Sequence, residues 1–242
     1  MMTYRGFHLR WTIPLSIASM TIWAASPSPF SALVVLSGLC LVVVAFTFPW
    51  DDWAVAQGVW DFPSDRVLYR VRHLPIEEVF FFVIQTIQVG ALTAALAAYM
   101  PSTSHEDVRF DTQTLVSLSI VSCAWVGAWF VARRWRRVTV SVTYAWHLLF
   151  WFAPVIIMQW VFGWPILGPR TSIIVLASVS IGTILVLSDI WAVKRGIWFF
   201  DEKQITGLKA FGVLPWEEIA FFYVTSILVS QSTLLLLPSS AR

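Results

Sequence analysis

The sequence predicts an all-α integral membrane protein with seven transmembrane helices, set out as two parallel three-helix repeats joined by a linker helix. Three observations carry that expectation. Apolar side chains make up 58% of the 242 residues and charged ones only 12%, against roughly a quarter charged in a soluble domain. The mean hydropathy is +0.74. Basic residues also fall unevenly on the two sides of the predicted spans, and one multi-residue pattern occurs twice. Such a composition excludes a soluble enzyme, a nucleic-acid binder and a disordered regulator.

Seven apolar stretches approach the roughly 20 residues that one crossing needs. They run from Trp11 to Ala25, Phe30 to Phe48, Ile76 to Met100, Thr112 to Ala132, Val138 to Phe162, Thr171 to Leu187 and Trp216 to Leu237. The first is short and carries Pro14. A signal peptide is the competing reading there, but Ala24-Ala25-Ser26 makes a poor cleavage site. Cys40 and Cys123 both fall inside apolar runs and imply no disulfide framework.

The charges orient the spans. With the N-terminus inside, the inner segments hold 13 basic residues: Arg5, Arg10, Arg66, Arg70, Arg72, Arg133, Arg134, Arg136, Arg137, Lys194, Arg195, Lys203 and Lys209. The outer segments hold 3, at Arg109, Arg170 and Arg242. This positive-inside bias predicts a multi-pass protein of the cell membrane with a cytoplasmic N-terminus and an outer C-terminus. The Arg-Arg-Trp-Arg-Arg run at 133–137 reads either as an orientation signal or as a patch for anionic lipid. The basic, amphipathic loop from Asp65 to His73 is expected on the inner interface.

The repeat has two blocks. Trp53-Ala54-Val55, Gly58 and Trp60 recur as Trp191-Ala192-Val193, Gly196 and Trp198, an offset of 138, with Asp51 and Asp189 just upstream. Leu74-Pro75-Ile76-Glu77-Glu78-Val79 recurs as Leu214-Pro215-Trp216-Glu217-Glu218-Ile219 at an offset of 140, and Phe81-Phe82 is matched by Phe221-Phe222. The second loop is therefore two residues longer. Residues 1–100 form the first repeat, 101–137 the linker helix and 138–242 the second repeat. Three helices reverse the chain across the membrane, so a fourth restores its direction. Both Glu-Glu motifs then lie on the inner side.

Proline at a helix start and acids in the first turn are ordinary capping chemistry. A second reading is catalytic. Four acids, Glu77, Glu78, Glu217 and Glu218, enter apolar runs with no basic residue close by on the same helix, and ionisable groups so placed are functional candidates. Helical spacing sets Glu78, Phe82 and Gln85 on one face, and Glu218, Phe222 and Thr225 on its counterpart. Carboxyls crowded together with little water cannot all ionise. A protonated carboxylic acid facing aromatic rings can donate to a carbon–carbon double bond, and the π-faces stabilise the carbocation that forms.

Other candidates have two readings each. His147, inside the fifth span, is either a proton acceptor or a hydrogen-bonded structural histidine. Gln85, Gln88 and Gln159 read as interhelical bonds. Asp51, Asp52, Asp61 and Asp65 are either helix caps and loop acids or magnesium ligands for a prenyl or terpene diphosphate. A transporter is a non-enzymatic alternative, though its site belongs near the midplane. A retinal protein would need a lysine in its last helix, and Lys194, Lys203 and Lys209 all lie outside the predicted spans.

Two copies of Pro-x-Glu-Glu followed by Phe-Phe, each preceded by an aspartate and a Gly-x-Trp loop, resemble the membrane-embedded lycopene cyclases. That family includes the heterodimeric bacterial type and the cyclase domain of the fungal bifunctional cyclase–phytoene synthase, and here both halves share one chain. The resemblance covers nearly the whole chain and leaves no room for a phytoene synthase domain. It implies redox-neutral cyclisation of the ψ-ends of lycopene to β-ionone rings, by way of γ-carotene to β-carotene. It implies Glu77, Glu78, Glu217 and Glu218 as catalytic acids. The substrate-binding set is Phe81, Phe82, Phe221 and Phe222 from the motif, with Gln85, Trp60, Trp198 and His147 beside them. Lycopene and other linear carotenoids are the expected partners, drawn from the lipid phase, with no nucleic acid, no metal and no cofactor. Without a Gly-x-Gly-x-x-Gly after a strand, no nucleotide is expected. The two halves diverge after the motif: Tyr223-Val224-Thr225-Ser226 stands against Val83-Ile84-Gln85-Thr86.

Overall fold

A computed structural model describes residues 2–27, 32–100, 111–136 and 140–238. Arg109, Arg137 and Arg242, counted above in the charge asymmetry, lie outside these residues, and so does part of the 133–137 run. Helix α1 runs over 4–24 in three continuous segments: Tyr4–Phe7, a π turn at His8–Thr12, and Ile13–Ala24. The others are α2 (Leu33–Ala56), α3 (Ile76–Tyr99), α4 (Thr112–Arg136), α5 (Thr143–Leu167), α6 (Thr171–Lys194) and α7 (Trp216–Leu236). Pro14 lacks the N–H that would bond to the Arg10 carbonyl, and the wide turn falls where that bond is missing.

Five stretches of the described residues are long and apolar enough to cross a membrane. One of them, Val140–Lys194, contains both α5 and α6. Their outward faces carry bare aliphatic side chains such as Val34, Leu41 and Val175, as a lipid-facing surface requires. Helix α4 packs chiefly on α5 and buries nothing across its apolar window.

The remaining six helices contact one another in matching sets. Helix α3 packs on α1 and α2, helix α7 packs on α5 and α6, and α3 meets α7 at the centre. Polar side chains join that central contact. The Gln85 amide donates to Thr225 Oγ1 at 2.9 Å, and the Thr93 and Ser230 hydroxyls lie 3.0 Å apart. Gly90 lies where α3 meets both α2 and α7: a Cβ there would stand 2.3 Å from Leu36 Cδ2 and 3.3 Å from Thr233 Oγ1.

Short strands at one end of the bundle hold the loops: β1 (Trp60–Asp61), β2 (Arg70–Val71), β3 (Leu74–Pro75), β4 (Phe199–Phe200), β5 (Lys209–Ala210) and β6 (Leu214–Pro215). Strands β2–β3 and β5–β6 are hairpins, while β1 pairs with β4 across the two halves of the chain. Gly58 and Gly196 end α2 and α6 at φ +70 and +66, a left-handed exit that glycine makes without strain.

The two extra residues of the second loop can be placed. The Tyr69 and Leu208 carbonyls accept from Ile76 N–H and Trp216 N–H respectively, an offset of 139 on the carbonyl side. The preceding anchors, Leu68 and Thr206, differ by 138. Gly207, at φ +80, is therefore one insertion. The other lengthens the hairpin tip, because Ala210 pairs with Leu214 where Val71 pairs with Leu74. Pro75 and Pro215 each sit one residue before the first helical position, in extended backbone at ψ 144 and 142. They are the last strand residues of their hairpins, not the first turn of a helix.

Candidate active site

The first turns of α3 and α7 place two acids each at the hairpin end of the bundle. Consecutive helical residues point about 100° apart, and the paired acids separate accordingly. Glu77 Oε1 accepts the Leu68 N–H at 2.8 Å, and Glu217 Oε1 accepts the Thr206 N–H at 2.6 Å. Both side chains thus tie their helix to the loop before it. Glu78 and Glu218 turn the other way and line a shared cavity.

Each of these inward acids has a tyrosine partner. The Tyr4 hydroxyl donates to Glu78 Oε2 at 2.6 Å, and the Tyr144 hydroxyl donates to Glu218 Oε2. Tyr4 enters from α1 and Tyr144 from α5, both fully buried. The rings are packed alike. Tyr4 stacks on Phe62 at 5.6 Å and Tyr144 on Phe200 at 6.3 Å. Trp198 lies 5.0 Å from Tyr4, and Trp60 lies 5.0 Å from Tyr144. Each acid–tyrosine pair is thereby covered by a tryptophan from the opposite half, a crossing imposed by the β1–β4 pairing.

The cavity opens at one side, and together with the space at its mouth it measures about 480 Å³. Aromatic rings form most of its wall. Trp50, at the end of α2, stacks on Phe221 at 5.5 Å and meets Phe152 edge-on at 5.0 Å. Its counterpart, by the 138 offset, is Ser188, whose hydroxyl donates to its own helix. The wall is therefore richer in π-surface on the Glu218 side. Asp51 also lines the cavity. Asp189 accepts the Trp198 indole N–H at 2.7 Å.

Of the residues predicted from the sequence, Glu78, Glu218, Phe81, Phe221, Phe222, Trp60 and Trp198 converge on the cavity. The others lie elsewhere. Glu77 and Glu217 serve the loops. Phe82 is buried without lining the cavity: in α3 only the i+3 residue from Glu78, Phe81, faces it, whereas in α7 both Phe221 and Phe222 do. Gln85 is one turn deeper and bonds Thr225. His147 stacks on Trp53 at 3.9 Å, and its Nδ1–H donates to the Thr143 carbonyl at 2.6 Å.

The four aspartates weighed as magnesium ligands are dispersed. Asp52 pairs with Arg72 and His73, Asp61 with Arg70 and Asp65 with Arg66, leaving only Asp51 in the cavity. Among the described residues, no three His, Cys, Asp or Glu side chains cluster as a metal site would need. In the second loop the Lys203 N–H and the Gln204 amide donate to Asp201, and these bonds hold its carboxyl below the usual range. Gln204 also donates to the Gln57 carbonyl at 3.0 Å, a further tie between the halves.

Sequence reasoning passed over Tyr4, Tyr144 and Trp50. The tyrosines stand 140 residues apart, the same offset as the glutamates they contact. Extending the repeat upstream of the tryptophan block would have found them. Trp50 breaks the repeat, so no internal comparison points to it.

A helical bundle with membrane-length apolar helices and two half-buried, tyrosine-bonded carboxyls in a ring-lined cavity defines a membrane protein with an acidic, aromatic pocket. Comparison with known proteins narrows that class. The chain is 31% identical over 224 residues to a lycopene beta-cyclase of Halobacterium salinarum, covering 92% of this chain and 89% of that one. It is 29% identical over 241 residues to a bifunctional lycopene cyclase/phytoene synthase of Colletotrichum graminicola, with 93% of this chain and 39% of the relative covered. A protein of the same description from Phaeosphaeria nodorum is 28% identical over 241 residues, with the same coverage. No family model and no solved structure matches. The chain belongs to the lycopene cyclase family.

Proposed function

We propose that this protein is a lycopene beta-cyclase, a redox-neutral isomerase acting within the membrane. The observation that carries the reading is the convergence of Glu78 and Glu218 on one aromatic cavity, each anchored by a tyrosine hydroxyl. A hydroxyl donated to Oε2 leaves the acid proton on Oε1, which has no hydrogen-bond partner among the described residues. That oxygen delivers the proton to the terminal C1–C2 double bond of a ψ-end. The C5–C6 double bond then attacks the cation at C1 and closes the ring. Loss of a proton from C6 quenches the cation left at C5. Trp50, Trp60, Trp198, Phe81, Phe221 and Phe222 present π-faces to the moving positive charge. Residues from well-separated parts of the chain hold these rings, so the cation meets a wall already in place.

The membrane arrangement goes with this reading: seven crossings, N-terminus cytoplasmic and C-terminus outside, with residues 1–100 and 138–242 as parallel repeats around linker 101–137. The charge asymmetry supports the orientation, and the equivalent loop bonds accepted by Glu77 and by Glu217, like the equivalent tyrosine bonds accepted by Glu78 and by Glu218, support the repeats. Lycopene and other linear carotenoids enter from the lipid, and one end reacts at a time. Expression in a lycopene-accumulating host, followed by pigment separation, tests the proposal. Conversion to γ- and β-carotene is the expected result, and unchanged lycopene at normal protein level refutes it.

A further inference from the structure

We propose that Glu78 and Glu218 act together on one ψ-end, as proton donor and proton acceptor of a single ring closure. On this view neither serves a separate end of the substrate. The inference rests on the cyclase reading above and goes beyond it by assigning the acceptor.

The halves do not build two compartments. Both acids line the same cavity. Trp60 packs on Tyr144 and Trp198 on Tyr4, each at 5.0 Å and each from the opposite half. Trp198 also meets Phe7 edge-on at 5.1 Å. The Trp60–Phe200 and Asp61–Phe199 pairing closes the same side. A partition into two sites would have to break that strand pair and strip the covering tryptophan from each acid.

The chemistry fits one shared site. Ring closure adds a proton at C2 and removes one from C6, and both atoms flank C1. Gain and loss therefore occur within the width of a single ring, whereas the two ψ-ends lie a whole polyene apart. Two carboxyls of one cavity, each with one oxygen fixed by a tyrosine and the other without a hydrogen bond among the described residues, supply the two transfers. The donor carboxyl protonates C2 and becomes a carboxylate. The C5–C6 π electrons form the C1–C6 bond. The acceptor carboxylate takes the C6 proton, and the freed C–H electrons become the new C5–C6 double bond. The pair ends with the one proton it began with, now on the other carboxyl, and no co-reactant is consumed.

The test uses the full chain in lycopene-accumulating cells, together with membranes given γ-carotene, which has a single ψ-end. Glu78→Gln and Glu218→Gln are each expected to lose about 100-fold or more of both cyclisations. Neither should accumulate γ-carotene, neither should act on supplied γ-carotene, and the two variants expressed together should stay inactive. Accumulation of γ-carotene by either variant, or restored β-carotene from the pair, overturns the shared site and leaves the cyclase reading standing. Full activity of either single variant also overturns it. A wild-type chain that leaves lycopene unchanged overturns the cyclase reading itself. If a Gln variant fails to accumulate in membranes, Glu78→Asp and Glu218→Asp replace it, keeping an acid one methylene short. There γ- and β-carotene should fall together, and a rise in γ-carotene refutes the inference.

Discussion

Tyr4→Phe and Tyr144→Phe isolate the contribution of the hydroxyls that hold the two acids. Each substitution removes one donor from Glu78 Oε2 or Glu218 Oε2 and leaves the ring packing, on Phe62 and Trp198 or on Phe200 and Trp60, in place. A hydrogen bond to a neutral acceptor is worth about 1 kcal/mol, and one to a charged acceptor about 1.5–3 kcal/mol. The carboxyl that gives up its proton passes from the first state to the second during protonation. Only the difference, about 0.5–2 kcal/mol, enters the rate, and that corresponds to roughly 2- to 30-fold. The assay is the initial rate of lycopene loss in isolated membranes, normalised to protein. Tyr99→Phe is the control, because that exposed hydroxyl bonds the Ala25 carbonyl far along the helix from the acids. Wild-type rates in both Tyr4→Phe and Tyr144→Phe would refute the reasoning. So would a rate loss matched by an equal loss in Tyr99→Phe.

Other outcomes follow from the same geometry. Glu77→Gln and Glu217→Gln keep a side-chain carbonyl for the Leu68 and Thr206 N–H groups, so both should retain most activity, whereas Glu77→Ala should lower thermal stability by about 1–3 kcal/mol. Detergent melting curves read the difference. Trp50→Leu removes the π-face stacked on Phe221 and should cut turnover by about 1–2 kcal/mol, roughly 5- to 30-fold, with little change in KM. Gly90→Ala forces its new methyl against Leu36 Cδ2 and should cost about 1–3 kcal/mol in stability, measured by the same melts. Addition of EDTA should leave turnover on lycopene unchanged, because the aspartates that would bind magnesium are committed to Arg72, Arg70 and Arg66.

The helices and the acid motif were legible in the sequence because both depend on local information. Apolar runs report span length, and a duplicated Leu-Pro-x-Glu-Glu reports its own position. The reading faltered where contacts are long-range. Helical spacing sets Phe82 on the face of Glu78, yet Phe81 lines the cavity and Phe82 lies in the core. Gln85 is likewise spent on the α3–α7 contact. The crossing of Trp60 and Trp198 to opposite acids had no sequence signal, since it comes from strand pairing between loops 138 residues apart. His147 reads from its place inside the fifth span as a proton acceptor or a structural histidine; in the structure its Nδ1–H donates to the Thr143 carbonyl and its ring stacks on Trp53.

The doubling of glutamate within each motif has a mechanical explanation. On the proposed mechanism, an acid that sheds its proton into hydrocarbon must not drift toward the water and basic residues of the nearby loops. In each half the first glutamate bonds the loop backbone, and the loop hairpin returns a carbonyl, Tyr69 or Leu208, to the first N–H of the helix. These paired bonds fix both the height and the rotation of the helix start. One residue later, about 100° round the helix, the second glutamate has no direction available except the cavity, where a tyrosine from another helix meets it. Adjacent carboxyls of identical chemistry are thus divided between the loop and the cavity by helix geometry, and on the proposed reading only the cavity pair reacts. Glu77 should therefore be unable to replace Glu78 in the Glu78→Gln variant: it is the next residue in sequence, yet it points at a backbone amide that it cannot abandon without releasing the loop.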